Sequence, residues 1–128
     1  MAVDVASKGT RFVATFSGGV TMAGLQTLID RFAEIESRPD STPDRIVDLG
    51  PVVTVALGFS EVAALARVRK AFRPRNPFRT AIVAVSALQQ GYARMFQTLN
   101  DHPMITVRVF DSLAAPKAWL DSTPSDSH

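Results

Sequence analysis

The stretch from Arg79 to Leu99 constrains the fold more than any other part of the chain. It carries Ala81-Ile82-Val83-Ala84-Val85, a continuous apolar run rich in β-branched residues. With no polar residue alternating through it, the run predicts a strand covered on both faces. Ser86 stops it. From there Leu88, Tyr92, Met95, Phe96 and Leu99 recur at the i, i+4, i+7, i+8, i+11 spacing of one helical stripe. A buried strand that turns at a serine into an amphipathic helix is half of a βαβ unit, which places the chain in the α/β class.

The flanking sequence supplies the other elements. Val3 and Val5 alternate with polar neighbours, Ser7-Lys8-Gly9-Thr10 holds turn residues, and Phe12, Ala14 and Phe16 alternate again. This predicts an antiparallel hairpin, with Gly9 free to take positive φ and Ser17-Gly18-Gly19 ending the second strand. Thr21 is placed to cap a helix running to about Ser37, with Met22, Leu25, Leu28, Ile29, Phe32 and Ile35 on its inner face. Two prolines between residues 37 and 44 predict a surface loop, and Arg45 to Leu49 a third strand. Val52 to Gly58 reads either as a short strand extension or as an apolar loop over the sheet; the loop reading is preferred here. Ser60 is positioned to cap a second helix with Val62, Leu65, Ala66 and Phe72 inward, and Arg67, Arg69, Lys70 and Arg73 mostly outward. Ile105, Val107 and Val109 alternate as a fifth strand. A last helix begins near Ser112, tolerates Pro116 only in its first turn, and closes the core with Trp119 and Leu120. The expected order is β-β-α-β-α-β-α-β-α, a mixed five-stranded sheet flanked by helices, spanning 1–121 as one domain with 122–128 as a polar tail that frays.

A chain of 128 residues has the size of one domain and can bury about two thirds of its unfolded surface in a single core. Cysteine is absent, which removes disulfides, thiol catalysis and thiolate metal ligation from consideration. With no run near ~18 apolar residues and no signal-like N-terminus, the expectation is a soluble cytoplasmic protein without a transmembrane segment. Charge is unevenly spread. Arg67, Arg69, Lys70, Arg73, Arg75, Arg79 and Arg94 fall between Val62 and Asn100 with no acid among them. The six from Arg67 to Arg79 repel one another, so they require compensation from helix carbonyls, from acids elsewhere in the chain, or from an external anion. As an anion-facing surface they fit an acidic protein or an anionic lipid better than nucleic acid, for which no reading motif is present.

Catalytic constellations are missing from the pattern. His102 lies in a turn and His128 in the tail, neither with a partner at metal-ligand spacing, so solvation is their expected role and no metal or other cofactor is expected. Gly18-Gly19 lacks the further glycine and lysine of a phosphate loop, and no G-x-S-x-G elbow occurs. Asp48 ends an apolar strand without a second catalytic group, a pattern that fits loop bonding or capping. These features point away from an enzyme.

Asp48-Leu49, Phe78 to Val85, Ser86-Ala87-Leu88 through Gly91-Tyr92-Ala93-Arg94-Met95-Phe96, and Val107-Arg108-Val109-Phe110-Asp111 to Ala118-Trp119-Leu120 together resemble the small bacterial SpoIIAA-like proteins of the STAS and SEC14-like group. The resemblance covers nearly the whole chain. It implies a STAS-like mixed sheet flanked by helices, in a group that holds anti-sigma-factor antagonists working by protein contact and a serine phosphorylation switch, and SEC14-type lipid carriers. In the antagonists the Asp-Leu-like pair is followed by an Asp-Ser dipeptide that receives the phosphate. The corresponding positions by spacing from Asp48 are Ala56 and Leu57, so the phosphoacceptor is missing unless the loop brings Thr54 or Ser60 to the same place.

Two readings of function follow. The first is a non-enzymatic regulatory domain that binds another protein through the loop from Gly50 to Ser60, because Val52, Val53, Val55, Ala56 and Leu57 form an unusually apolar surface for a loop. The second is a SEC14-like small-ligand or lipid-binding protein with an apolar pocket between the sheet and a helix.

Overall fold

The structure, a computed structural model, describes residues 2–8, 11–37 and 42–121. Its elements follow the order β1 (Ala2–Lys8), β2 (Arg11–Val20), α1 (Met22–Ser37), β3 (Asp44–Asp48), β4 (Val52–Val55), α2 (Phe59–Ala71), β5 (Phe78–Val83), α3 (Ala87–Leu99), β6 (Ile105–Phe110) and α4 (Ala114–Asp121). The main path of the sheet is β1-β2-β3-β5-β6, with β4 also paired to β2. Only β1 is antiparallel to its neighbour. The mixed α/β architecture follows the sequence expectation. The expected turn at Gly9 and the tail from Ser122 lie outside the described residues.

One strand more is present than expected, and the reason lies in Gly18-Gly19. These glycines do not end β2. The strand runs on to Val20 and changes partner, from β3 over Arg11 to Thr15 to β4 over Gly18 to Val20. The register shifts between Gly18 and Gly19, where Gly18 adopts φ +76°, a conformation that favours glycine. At Gly19 a Cβ would come within 2.7 Å of the Thr54 hydroxyl oxygen, so the missing side chain lets β4 approach. The apolar stretch after Gly50-Pro51 is therefore a strand, correcting the loop reading. Tertiary pairing decided what its short apolar pattern left open.

The sheet is covered unequally. On one face Phe12, Ala14 and Phe16 of β2, Val47 of β3, Phe78 and Ile82 of β5 and Ile105 and Val107 of β6 meet Leu25, Leu28 and Phe32 of α1, Leu65 of α2 and Ala93 and Phe96 of α3. On the other, Ile46, Ala81 and Val83 pack with Leu120 and Trp119 of α4, flanked by Val13 and Phe110. The fully buried β5 answers to its apolar run, since a strand between neighbours with helices on both sides has no face to give to water.

Caps and helix faces show which local signals survived packing. Thr21 accepts from Gly24 N–H at 3.2 Å, and Ser86 accepts from Gln89 N–H at 3.1 Å while the Gln89 side chain takes up Ser86 N–H. Ser60, expected as a cap, instead sits inside the first turn of α2 and donates to Glu61 Oε2 at 2.7 Å; Gly58 precedes the helix and its N–H is taken up by Glu61 Oε1. In α3 the buried residues are Gln89 and Ala93, so the inner face is rotated from the expected stripe and Leu88 is exposed. His102 is also corrected. It is buried rather than solvated, with Nε2 donating to Phe72 C=O at 2.7 Å and Nδ1 accepting from Met104 N–H at 3.0 Å. The neutral Nε2–H tautomer thus staples the end of α2 to the turn before β6.

Candidate functional site

Parallel strands followed by helices put the starts of α1, α2 and α3 at the C-terminal end of the sheet. That end carries an apolar rim. Val53 of β4 is 72% exposed and Phe59 at the start of α2 64%, with Met22, Val85 and Leu88 also exposed at the heads of α1 and α3. The β4–α2 segment behind this rim is held from inside. Gln89 Nε2 donates to Val52 C=O at 2.9 Å and Gly50 C=O at 3.3 Å, its Oε1 accepts from Val85 N–H, and Tyr92 O–H donates to Leu57 C=O at 2.6 Å. Asp48 accepts from Gly50 N–H at 2.8 Å, the loop-bonding role expected of it.

The five residues expected to form an interaction surface divide between inside and outside. Val53 and Ala56 are exposed, Val55 and Leu57 half-buried, and Val52 buried. The irregular register explains the division: the pairing with β2 passes from Val52 to Thr54, so Val53 is left out of it and exposed, while Val52 and Val55 line the cavity, which removes Val52 from the surface as a correction. Of the phosphoacceptor candidates, Thr54 is exposed on β4 against Gly19, and Ser60 is exposed beside Glu61. The Ser60 hydroxyl and Gly58 N–H hold the Glu61 carboxyl below its ordinary pKa.

The expected cationic surface is also divided. Arg69 turns inward from α2 and forks onto Glu36, with distances of 3.1 Å to Oε1 and 2.8 Å to Oε2. Arg79 lies buried on the α4 face, where Nε and Nη2 donate to Asp44 and Nη1 and Nη2 to the Trp119 and Leu120 carbonyls. Acids from the rest of the chain and helix carbonyls thus supply the compensation that these cations require. Arg67, Lys70, Arg73 and Arg75 remain exposed, with Arg73 donating to the Lys70 and Phe72 carbonyls at the end of α2.

Behind the rim, between the sheet and α1, α2 and α3, lies a cavity of about 140 Å³. Its walls are almost wholly apolar, among them Phe16, Leu28, Val52, Leu65, Phe96 and Val107. Arg45, Arg69 and Asn100 also line it. Strand register sets Arg45 between Phe12 and Thr80 on neighbouring strands, on the cavity face. Its side chain is 1% exposed, and the guanidinium lies over the rings of Phe78 at 4.1 Å, Phe12 at 4.7 Å and Phe32 at 5.3 Å. Nη1 donates to Glu36 Oε2 and Nη2 to Pro43 C=O, while Nε has no partner among the described residues.

Burial would push the Glu36 carboxyl up, but the hydrogen bond from Arg69 and the charges of Arg45 and Arg69 outweigh it and hold the group below its ordinary pKa. Burial pulls the Arg45 pKa down to about 10 against the opposing charge of Glu36, so the guanidinium is still protonated at neutral pH. Asn100, which ends α3 by donating its backbone N–H to Phe96 C=O, buries both side-chain polar atoms without a partner among the described residues. Sequence reasoning missed Glu36, Arg45 and Asn100 as site residues. The one available signal was an arginine at the head of an apolar strand, a costly placement unless something charged meets it.

No family model matches the chain, and no curated protein matches it in sequence. Solved structures do match. An anti-sigma factor antagonist from Mycobacterium paratuberculosis superposes with a TM-score of 0.62 at 14% identity, over 94% of this chain and 94% of that one. An uncharacterized protein with a SpoIIAA-like fold from Shewanella loihica gives a TM-score of 0.58 at 13% identity, over 93% of this chain and 92% of that one. The chain has the SpoIIAA-like, STAS-type fold. Among the described residues no helix is long and apolar enough to cross a membrane.

Proposed function

We propose that the protein is a regulatory protein-interaction domain that binds its partner through the C-terminal end of the sheet, at β4 and the head of α2. The observation that carries this reading is the exposure of Val53 and Phe59 on a segment whose backbone is pinned from inside by Gln89 and Tyr92. Large side chains held out on a rigid frame lose little conformational entropy on docking, and the neighbouring Met22, Val85 and Leu88 extend the apolar area. The likeness in fold to an anti-sigma factor antagonist supports a protein partner. In this reading the domain is not an enzyme and works in the cytoplasm without a phosphate switch. Ala56 and Leu57 have no hydroxyl, and a phosphate on Ser60 would lie against the Glu61 carboxylate that its hydroxyl now meets.

The test compares wild type with the double variant Val53→Asp, Phe59→Asp in quantitative affinity capture from native lysate. Both side chains are exposed, so thermal unfolding of the variant should match wild type. A partner captured in stoichiometric amount by wild type should drop at least tenfold with the variant. An unchanged capture profile sinks the surface.

A further inference from the structure

The void enclosed by the sheet, α1, α2 and α3 is larger than close packing leaves, and what it can hold does not depend on whether the rim binds a protein. Protein interiors pack as densely as organic crystals, with few gaps larger than a water molecule. This one measures about 140 Å³. Phe16 and Val107 line it from the sheet, and Leu28 of α1, Leu65 of α2 and Phe96 of α3 from the helices. α3 also sets Ala93 against it, 3% exposed, where a larger side chain would occupy the space. Atoms that line a void lack the dispersion contacts they would make across it, so a molecule of matching shape is attracted by the wall as a whole.

The polar groups along the wall decide the chemistry of that molecule. Six of the lining residues carry side-chain nitrogen or oxygen: Arg45, Arg69, Thr80, Gln89, Tyr92 and Asn100. Gln89 and Tyr92 commit theirs to the backbone at Val52, Leu57 and Val85. Arg69 forks onto Glu36, and Arg45 gives Nη1 to Glu36 and Nη2 to the Pro43 carbonyl. Arg45 Nε and both polar atoms of the Asn100 side chain are sealed from the void, each with less than 1 Å² of accessible surface. Thr80, in register with Arg45 on the same face, adds one small hydroxyl. The remaining lining side chains are aliphatic or aromatic. A carboxylate or ammonium entering here gives up its hydration and meets no free charged donor or acceptor in return, which disfavours it strongly. An uncharged molecule has no such loss.

Size sets the other limit. A cavity of about 140 Å³ is close to the ~150 Å³ in which an apolar engineered cavity takes up benzene, so it suits one ring or a short branched chain and is far too small for a diacyl lipid. We infer that this cavity is a binding site for a small uncharged apolar molecule of single-ring size. Its place in the fold gives the guest an effect beyond the core. Val52, Val55 and Leu57 line the cavity, while Val53 and Phe59 of the same segment stand out on the rim. A bound guest gives the inner side chains of this segment new contacts and so braces β4 against β2, where Ala56 N–H donates to Val20 C=O at 2.9 Å.

The experiment titrates the full chain with toluene, benzoate and palmitate, reading two-dimensional NMR spectra, the thermal midpoint and amide hydrogen exchange. Toluene should raise the midpoint in a saturable way, move the amides of Leu65, Ala93 and the Val52 to Leu57 segment, and slow exchange at Ala56 at least threefold at saturation. Benzoate, the same ring with a charge, should bind at least tenfold more weakly, and palmitate should leave those amides unmoved. Ala93→Leu fills the void and should abolish the toluene shifts. Val62→Leu narrows it by one methylene from the α2 side and should weaken toluene at least threefold, which decides the matter if Ala93→Leu does not fold. The inference is overturned if toluene at millimolar concentration moves none of these amides, if benzoate or palmitate binds as tightly as toluene, or if a folded filling variant binds toluene as well as wild type. An unchanged exchange rate at Ala56 with toluene bound overturns the bracing of β4.

Discussion

Two buried arginines, one on each face of the same sheet, are treated in opposite ways. Arg79 points to the α4 face, where all three of its nitrogens donate, to one carboxylate and two carbonyls. Arg45 sits one strand away in register with Thr80 and points to the face with the cavity, where two nitrogens donate and the third does not. The difference lies in what covers each face. The end of a short helix lies against Arg79 and brings carbonyls that cannot be spent within the helix. Longer helices cover Arg45 and bring carbon and a single carboxylate, from Glu36 in the last turn of α1. Arg45 is therefore held by that carboxylate, the Pro43 carbonyl and three aromatic rings, and the carboxylate also serves Arg69. One face meets every nitrogen of its arginine, and the other leaves one donor without a partner among the described residues.

The contrast breaks first at Glu36. Glu36→Ala leaves Arg45 and Arg69 facing each other without their shared counterion and should cost about 3–5 kcal/mol, read as a lowered midpoint in urea unfolding at neutral pH. A loss below ~1 kcal/mol would mean that the rings alone support Arg45 and that the pairing is incidental. Acid probes the same group. Because the Glu36 carboxyl titrates below its ordinary value when folded, the native state binds fewer protons than the unfolded chain in that window. Its stabilisation is complete above the ordinary carboxylate pKa of about 4.3 and is lost as pH falls through the folded value. Urea midpoints measured from pH 7 to pH 3 should fall steeply for wild type and with a shallower slope for Glu36→Gln, and parallel curves would assign the acid sensitivity elsewhere.

Asp44→Asn, the matching change on the other face, should cost less, about 1–2 kcal/mol. The Trp119 and Leu120 carbonyls remain on Arg79, and Asp44 is partly solvated. Equal losses for Asp44→Asn and Glu36→Ala would erase the distinction between the faces. The smallest effect sharpens it. Asn100→Leu replaces two unanswered polar atoms with carbon and should leave the ligand-free protein as stable as wild type or up to about 1 kcal/mol more so, by the same urea measurement. A loss of 2 kcal/mol or more would show that the Asn100 amide is engaged in the folded chain, as by ordered water.

Local pattern carried the elements and the class of the fold. The β5 run, the Thr21 cap, the turn from strand to helix at Ser86, the end of α1 at Ser37 and the prolines around α2 act over a few residues, and such short-range terms read directly from the chain. The residue pattern also placed an apolar segment at Val52 to Leu57 and a cluster of cations at Arg67 to Arg79. Tertiary structure decided what they became. Pairing with the end of β2 turned the apolar segment into β4, with Val53 out on the rim and Val52, Val55 and Leu57 on the cavity wall. Glu36, 33 residues away from Arg69, and Asp44, 35 away from Arg79, drew two of the cations inside. The site around Arg45 and Asn100 was the least legible part, since neither residue belongs to a motif. A side chain becomes unpartnered only when everything around it has been placed, and that is a property of the packed chain, which no local spacing in the sequence carries.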